Sequence, residues 1–279
     1  MLLELAIGDA YGAGFEFADE MLSANDLSGY VQHPRSFFQA ERYTDDTQMS
    51  LAIAETIVNR QPWTERVLAE NFLKVFKRDP RKGYAKRMYQ YLQETEDAES
   101  FIKNVTWSSD ASGAAMRSAP IGVFSTIDRV MAASQLQAAI THKSKDGINA
   151  SVAAALMAHY FIYNLGNKQQ LGEFLDTYVC GYHWMRPQTE RVSMQGICCV
   201  RAAVTAIIKG DSLSQILRDC VAFGGDVDTV AAIALAAASC SSEIESDLPE
   251  VLISGLENEA YGRDYLVQLD RQLMGLVRG

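Results

Sequence analysis

Two short segments concentrate acids and hydroxyls where they could do chemistry: Thr44-Asp45-Asp46-Thr47 and Gly224-Gly225-Asp226-Val227-Asp228-Thr229. Each stands just ahead of an apolar run with helical spacing, one opening near Gln48 and the other near Val230. Singly, either is what a helix start looks like, because Asp, Ser and Thr cap free N–H groups and acids suit the positive end of the helix dipole. Capping, however, uses one side chain, and a second acid beside it adds repulsion for little gain. Four carboxylates and two hydroxyls converging on one point would need cations to neutralise them. Oxygen donors of this kind suit magnesium or manganese, and no His/Cys cluster points to zinc. The pattern therefore predicts a pair of hard divalent cations, provided the two helix starts meet. The glycine pair at 224 and 225 allows close backbone approach or positive φ.

Other segments carry weaker signals. The run Gly8-Asp9-Ala10-Tyr11-Gly12-Ala13-Gly14-Phe15-Glu16 reads as a Gly-rich turn, and no strand precedes it, which argues against a dinucleotide fingerprint. The run Gly113-Ala114-Ala115-Met116-Arg117 suits tight helix packing, or else a turn at 109–114 that offers N–H groups to a phosphate. His142 stands at the end of an apolar helix, where capping and ligand contact are both open, and Arg117 suits a buried acid as well as a phosphate. The aromatic Tyr182-His183-Trp184 is expected to pack rather than to stack on a base. The basic cluster 77–82, which contains Pro80, is expected to be a solvated turn.

The elements that must position these groups are helical. Apolar residues recur at helical spacing over 48–58, 66–76, 127–140, 148–163, 192–208, 214–222, 229–238 and 261–277, and no convincing alternating strand occurs. Ser212 and Ser246 look like N-caps. Helices joined by short loops imply a compact all-α globule, and with no Pro/Ser/Gly-rich linker one domain over residues 1–279 is expected. The longest irregular stretches are 17–43 and 104–112, and loops of that length tend to be functional. A net charge of −10 opposes non-specific nucleic-acid binding and means an anionic ligand needs local positive charge. No apolar run approaches a membrane span, and no signal peptide is read at the start, so a cytoplasmic protein is expected. The cysteines at 180, 198, 199, 220 and 240 form no CxxC pair and are expected to be free, buried thiols.

The motifs GDAYGAGFE, TDDTQM, SGAAMRSAPIG, ITH and GGDVDT occur in an order that resembles the ADP-ribosylglycohydrolases. These include the dinitrogenase-reductase-activating glycohydrolase and the ADP-ribosylarginine and ADP-ribosylserine hydrolases. The resemblance implies an all-α fold with two magnesium or manganese ions in a central cleft. It implies metal ligation by Thr44, Asp45 and Asp46 on one side and Asp226, Asp228 and Thr229 on the other. Glu16, on a loop that can open and close, would act beside the reacting ribose, with Asp45, Asp46 and Asp228 completing the catalytic set. Ser109, Ser112, Gly113 and Ala114, backed by Met116 and Arg117, would bind the diphosphate, with His142 and Gly225 also contacting substrate. The implied reaction is hydrolysis of a glycosidic bond between ADP-ribose and an acceptor, arginine above all from the motif spellings. The implied partner is an ADP-ribosylated protein or an ADP-ribose-containing small molecule, met by a monomer. In this chain Asp110 places a negative charge in the diphosphate turn, and Met1 lies close to the first motif. The competing readings are a non-catalytic ADP-ribose-binding or structural member, which would have lost a ligand position, and an unrelated two-metal phosphohydrolase. The histidines, scattered at 33, 142, 159 and 183, disfavour the latter.

Overall fold

A computed structural model of the chain describes residues 1–35, 38–105 and 108–277. Among these the helices are α1 (Leu2–Ala13), α2 (Asp45–Val58), α3 (Glu65–Arg78), α4 (Lys86–Glu94), α5 (Ala98–Asn104), α6 (Ile127–Ala139) and α7 (Lys145–Ile162). There follow α8 (Leu171–Tyr178), α9 (Gly196–Lys209), α10 (Leu213–Ala222), α11 (Val227–Ala238), α12 (Glu250–Gly255) and α13 (Arg263–Gly275). Short 3₁₀ turns cover Asp19–Ala24, Ser112–Ala114, Ala119–Val123 and Lys168–Gln170. No strand occurs among the described residues. Extended pieces make only isolated bridges, such as Ala111 with Gln195 and Val192 with Gly225. The fold is all-α, as expected. No described helix is long and apolar enough to cross a membrane.

Local capping chemistry fixes five of the thirteen helix starts among the described residues. Thr64, Asp97, Thr126, Ser144 and Ser212 each accept a bond from a backbone N–H three residues on. Ser246 does not cap a helix, since α12 begins at Glu250 behind Pro249. The neighbouring Asp247 instead accepts the backbone N–H of Ser214 at 2.8 Å and so secures the start of α10.

The helix α11 forms the axis of the molecule. Every one of its residues is buried, which fits a helix that is apolar all round apart from its first turn. The neighbours α1, α7, α9 and α10 pack around it, while α2 and α13 pack against α1. The segment 8–16 corrects the expectation of a Gly-rich turn, because most of it is helix α1. A Cβ on Gly8 would lie 2.6 Å from the Ala231 carbonyl oxygen, and one on Gly12 would lie 2.4 Å from the Asp228 Cα. These glycines let α1 and α11 approach closely at the level of the acidic residues.

Three more expectations need correction. The run 192–208 is helical only from Gly196, because 192–195 is extended and pairs with Ala111 and Gly225. The basic cluster 77–82 is not a solvated turn throughout: Arg81 is 3% exposed, ion-paired with Asp79 and Glu257, and lies over the Tyr43 ring. The cysteines are free, yet Cys180 is exposed and Cys198 and Cys240 are half-buried. Residues 36, 37, 106 and 107, within the two long irregular stretches, lie outside the described residues.

Candidate active site

The starts of α2 and α11 meet. Between them, α1 and the turn at 108–113, lies a cleft of about 580 Å³ whose lining includes Glu16, Asp45, Asp46, Asp226 and Asp228. One oxygen from each of Glu16, Asp226 and Asp228 lies within 4.8 Å of the other two. Of the other residues expected from the sequence, Ser109, Ser112, Gly113, Met116, Arg117, His142 and Thr229 also line the cleft.

Thr44, Ala114 and Gly225 do not line it. Thr44 is buried, and its hydroxyl donates to Asp9 at 2.7 Å. Ala114 is enclosed, and its carbonyl accepts from Ser118 Oγ and Gln137 Nε2. Gly225 sits at φ 92°, where a Cβ would collide with the Val192 carbonyl at 1.8 Å, and its own carbonyl accepts from Phe17 N at 2.9 Å. Its role is to let the loop before α11 lie flat against 192–195. Asp110 is exposed and bonded to Gln195 at 3.0 Å, so its charge is turned away from the cleft.

The position of Asp45 and Asp46 depends on Asp9, which sequence reasoning left unassigned. Thr44, the N-cap of α2, makes no side-chain capping bond. The Asp9 carboxylate, fully buried on α1, performs that task from across the interface. Its Oδ2 accepts Thr47 N at 2.9 Å and Thr47 Oγ1 at 2.6 Å, and its Oδ1 accepts Thr44 Oγ1 at 2.7 Å. The Thr44 amide reaches both oxygens, at 3.0 and 2.9 Å. With its proton given to Asp9, the Thr44 hydroxyl keeps its lone pairs for another partner.

Asp226 is held from one side. Its Oδ2 accepts Ser112 Oγ at 3.0 Å and the Cys199 thiol at 3.4 Å. The opposite wall of the cleft, Gly83 to Met88, was also unassigned. Gly83 has φ 105°, and a Cβ there would be 1.9 Å from Asp45 Oδ1. Tyr84 donates to Gln48 Oε1 at 2.7 Å, which fixes this wall to α2. The isolated Gly83 after the basic run was the only local signal, and the charge around it read as a solvated turn.

The electrostatics are those of a crowded anionic site. Burial, with the Asp9 carboxylate next, holds Asp45 and Asp46 well above the usual carboxylate range. Burial and then Glu16 do the same for Asp228, and burial raises Asp226 and Asp9. Glu16, half-buried at the rim, is pushed up to about 8 by burial, Asp226 and Asp9. Asp46 Oδ1 and Asp228 Oδ1 are buried without a hydrogen-bond partner among the described residues. Orphaned carboxylate oxygens in an all-oxygen cluster are what a hard divalent cation would satisfy, so the residues fit such an ion. Arg117 is 1% exposed, and burial brings its guanidinium down to about 9. It makes no ion pair with an acid among the described residues. Its bonds go to Gln137 Oε1, the Gln137 carbonyl and Thr141 Oγ1, with the Phe72 ring beneath it. The His142 backbone N–H donates to Ala138 O beyond the end of α6, and the residue lines the cleft. Trp184 is packed in the core and donates to Val179 O at 2.8 Å.

Comparison with known proteins gives three consistent findings. The family model described as ADP-ribosylglycohydrolase matches residues 1–279. The chain is 25% identical over 305 residues to an uncharacterized protein of Archaeoglobus fulgidus, covering 99% of this chain and 97% of that one. It is 26% identical over 196 residues to ADP-ribosylhydrolase ARH3 of Homo sapiens, covering 61% of this chain and 52% of the human protein. The corresponding Danio rerio protein is 28% identical over 174 residues, of which this chain covers 45% of the length. The match thus spans about half the length of these ARH3 relatives. A solved structure titled ADP-ribosylglycohydrolase-related protein complex superimposes with a TM-score of 0.71 at 20% identity, covering 99% of this chain and 95% of that one. At that identity the likeness speaks for the fold.

Proposed function

The chain belongs to the ADP-ribosylglycohydrolase family, and from that premise we propose that it hydrolyses the glycosidic bond joining ADP-ribose to an acceptor, with arginine as the acceptor. The observation that carries the proposal is the convergence of two helix starts on one cleft with buried, unpartnered oxygens on Asp46 and Asp228. In this reading Thr44, Asp45, Asp46, Asp226, Asp228 and Thr229 hold two divalent cations, magnesium or manganese. Such ions, when bound, supply positive charge for the ribose hydroxyls and acidify a water.

The chain's own residues do the rest. Asp9 fixes the α2 start so that Asp45 and Asp46 face the cleft, and Ser112 and Cys199 hold Asp226 by one oxygen. Glu16, at the rim, stands where a carboxylate can stabilise oxocarbenium character at the anomeric carbon and accept a proton from the attacking water. Met116, Gly113 and Ser109 line the path on which the diphosphate would lie, with the Ser112–Ala114 turn behind it. The choice of arginine among acceptors rests on the motif spellings TDDTQM and GGDVDT.

The test is to incubate the protein with arginine-linked and serine-linked ADP-ribosyl peptides plus magnesium or manganese. Release of ADP-ribose from the arginine peptide, abolished in Asp45→Asn and Asp228→Asn, is the expected result. Turnover of the serine peptide alone would refute the acceptor and keep the reaction class. Tight binding of ADP-ribose with no turnover of any linkage would refute the enzyme and leave the binding-module reading.

A further inference from the structure

A buried hydrogen-bond relay runs from the core to the cleft through three side chains. Arg117 Nη2 donates to Thr141 Oγ1 at 2.9 Å, and Thr141 Oγ1 lies 2.7 Å from His142 Nδ1. Arginine has donors only, so Thr141 must accept the first bond. The Thr141 side chain is 1% exposed, and no other acceptor for its hydroxyl proton occurs among the described residues. If Nδ1 carried a proton as well, the hydroxyl proton would be buried without a partner, at a cost of about 1–3 kcal/mol. The proton therefore goes to Nδ1, which makes Nδ1 an acceptor.

We infer that Thr141 is a positioning residue that locks His142 as the neutral tautomer protonated on Nε2, so that the ring offers the cleft a hydrogen-bond donor and takes no part in proton transfer. The ring edge that carries Nε2 lies against Gly113, where an added Cβ would be 3.1 Å from Nε2, and no described residue bonds to that nitrogen. The charged group that acts on His142 is Arg117; the facing Ser109 and Gly113 are uncharged, and Asp110 points to Gln195. Burial, with Arg117 second, also lowers the His142 pKa to about 3, which agrees with a ring that stays neutral. The role follows from the chemistry: a fixed neutral N–H binds an acceptor atom of the ligand without changing with pH, and proton transfer is left to carboxylates such as Glu16.

This inference rests on the ADP-ribose reading for its affinity arm alone, since the tautomer is read with no ligand present. Imidazole ¹⁵N–¹H correlation spectra of the full-length protein, assigned by the loss of the His142 signals in His142→Gln, should show His142 with Nε2 protonated and no titration between about pH 5 and pH 8. Thr141→Val should yield mixed tautomers and weaken ADP-ribose binding about 5- to 10-fold by calorimetry, and Thr141→Ser should restore both. An Nδ1-protonated His142, or one that titrates in that range, would overturn the inference. So would a Thr141→Val protein that keeps both tautomer and affinity. If Thr141→Val does not fold, the wild-type spectrum and Thr141→Ser decide the matter. Absence of ADP-ribose binding by a wild type with the expected tautomer would count against the substrate and not against the relay.

Discussion

Replacing Asp9 separates the two jobs that its carboxylate does, as acceptor and as charge. Alanine removes the acceptor for the buried amides of Thr44 and Thr47 and for both hydroxyls. The Thr44 hydroxyl can turn and cap the Thr47 amide itself, which leaves three of the four donors short, at about 1 kcal/mol or more each. Removing a buried anion that raises Asp45 and Asp46 returns part of that loss. The expected net destabilisation is about 2–4 kcal/mol. Asparagine differs sharply. Its oxygen can take the place of Oδ2, keeping the Thr44 amide and both Thr47 donors, while its NH₂ donates to Thr44 Oγ1. The Thr44 hydroxyl proton loses its acceptor and the Thr44 amide keeps one of its two, charge assistance is lost and repulsion is relieved, so Asp9→Asn should cost about 1 kcal/mol in the absence of metal, less than Asp9→Ala. Urea unfolding followed by far-ultraviolet circular dichroism, in EDTA, measures both. An Asp9→Ala protein as stable as wild type, or an Asp9→Asn protein as damaged as Asp9→Ala, would refute the idea that α1 caps α2 through hydrogen bonds.

Two further outcomes follow from the same site. Without metal, stability should fall as pH rises: the folded value of Glu16 stands at about 8 against an ordinary 4.5, through burial, Asp226 and Asp9. Its contribution is therefore full below about 4.5 and lost as pH passes through about 8. Melting temperatures in EDTA should drop across that window, and magnesium or manganese should flatten or reverse the slope; a rise with pH in EDTA would contradict the electrostatics. Gly83→Ala should weaken divalent-ion binding by about tenfold or more while leaving helical content intact, since the new Cβ meets Asp45 Oδ1 at 1.9 Å and φ is 105°. Manganese titration by electron paramagnetic resonance checks it, and unchanged affinity would show that Asp45 can move without consequence.

The helix starts at Asp45 and Val227 were legible because capping chemistry and apolar spacing are local, and both starts lay within three residues of expectation. Helix α1 was not. Gly8 and Gly12 each lower helix propensity by about 1 kcal/mol, and only the close approach to α11, more than 200 residues later, repays them. Asp9 was hidden for the same reason, since its partners Thr44 and Thr47 are 35 and 38 residues away. The wall at 83–88 was obscured by charge. Arg81 looked solvated because its partner Glu257, 176 residues on, is invisible to any local window. Short helices such as α5 and α12 carry too few turns to show a period.

Whether these acids cap helices or bind cations is a question of magnitude. Each helix start supplies roughly half a positive charge, so α2 and α11 together offer about one. Arg117, bonded to neutral groups, and Arg87 also line the cleft and add one each. Against this stand Asp9, Glu16, Asp45, Asp46, Asp226 and Asp228, all raised above their ordinary values. Two helix ends and two guanidinium groups, about three positive charges together, do not balance six carboxylates. If capping were the whole purpose, the second acid of each segment would be a liability that a serine or asparagine avoids. Hydrogen bonding does not absorb the excess either, because Asp46 and Asp228 each keep a buried oxygen without a partner. The remaining charge can be met by protonation, at the expense of the ligand geometry, or by divalent ions. The pH dependence of the metal-free protein and its reversal on adding magnesium or manganese distinguish these two, because protonation and cation binding compete for the same oxygens.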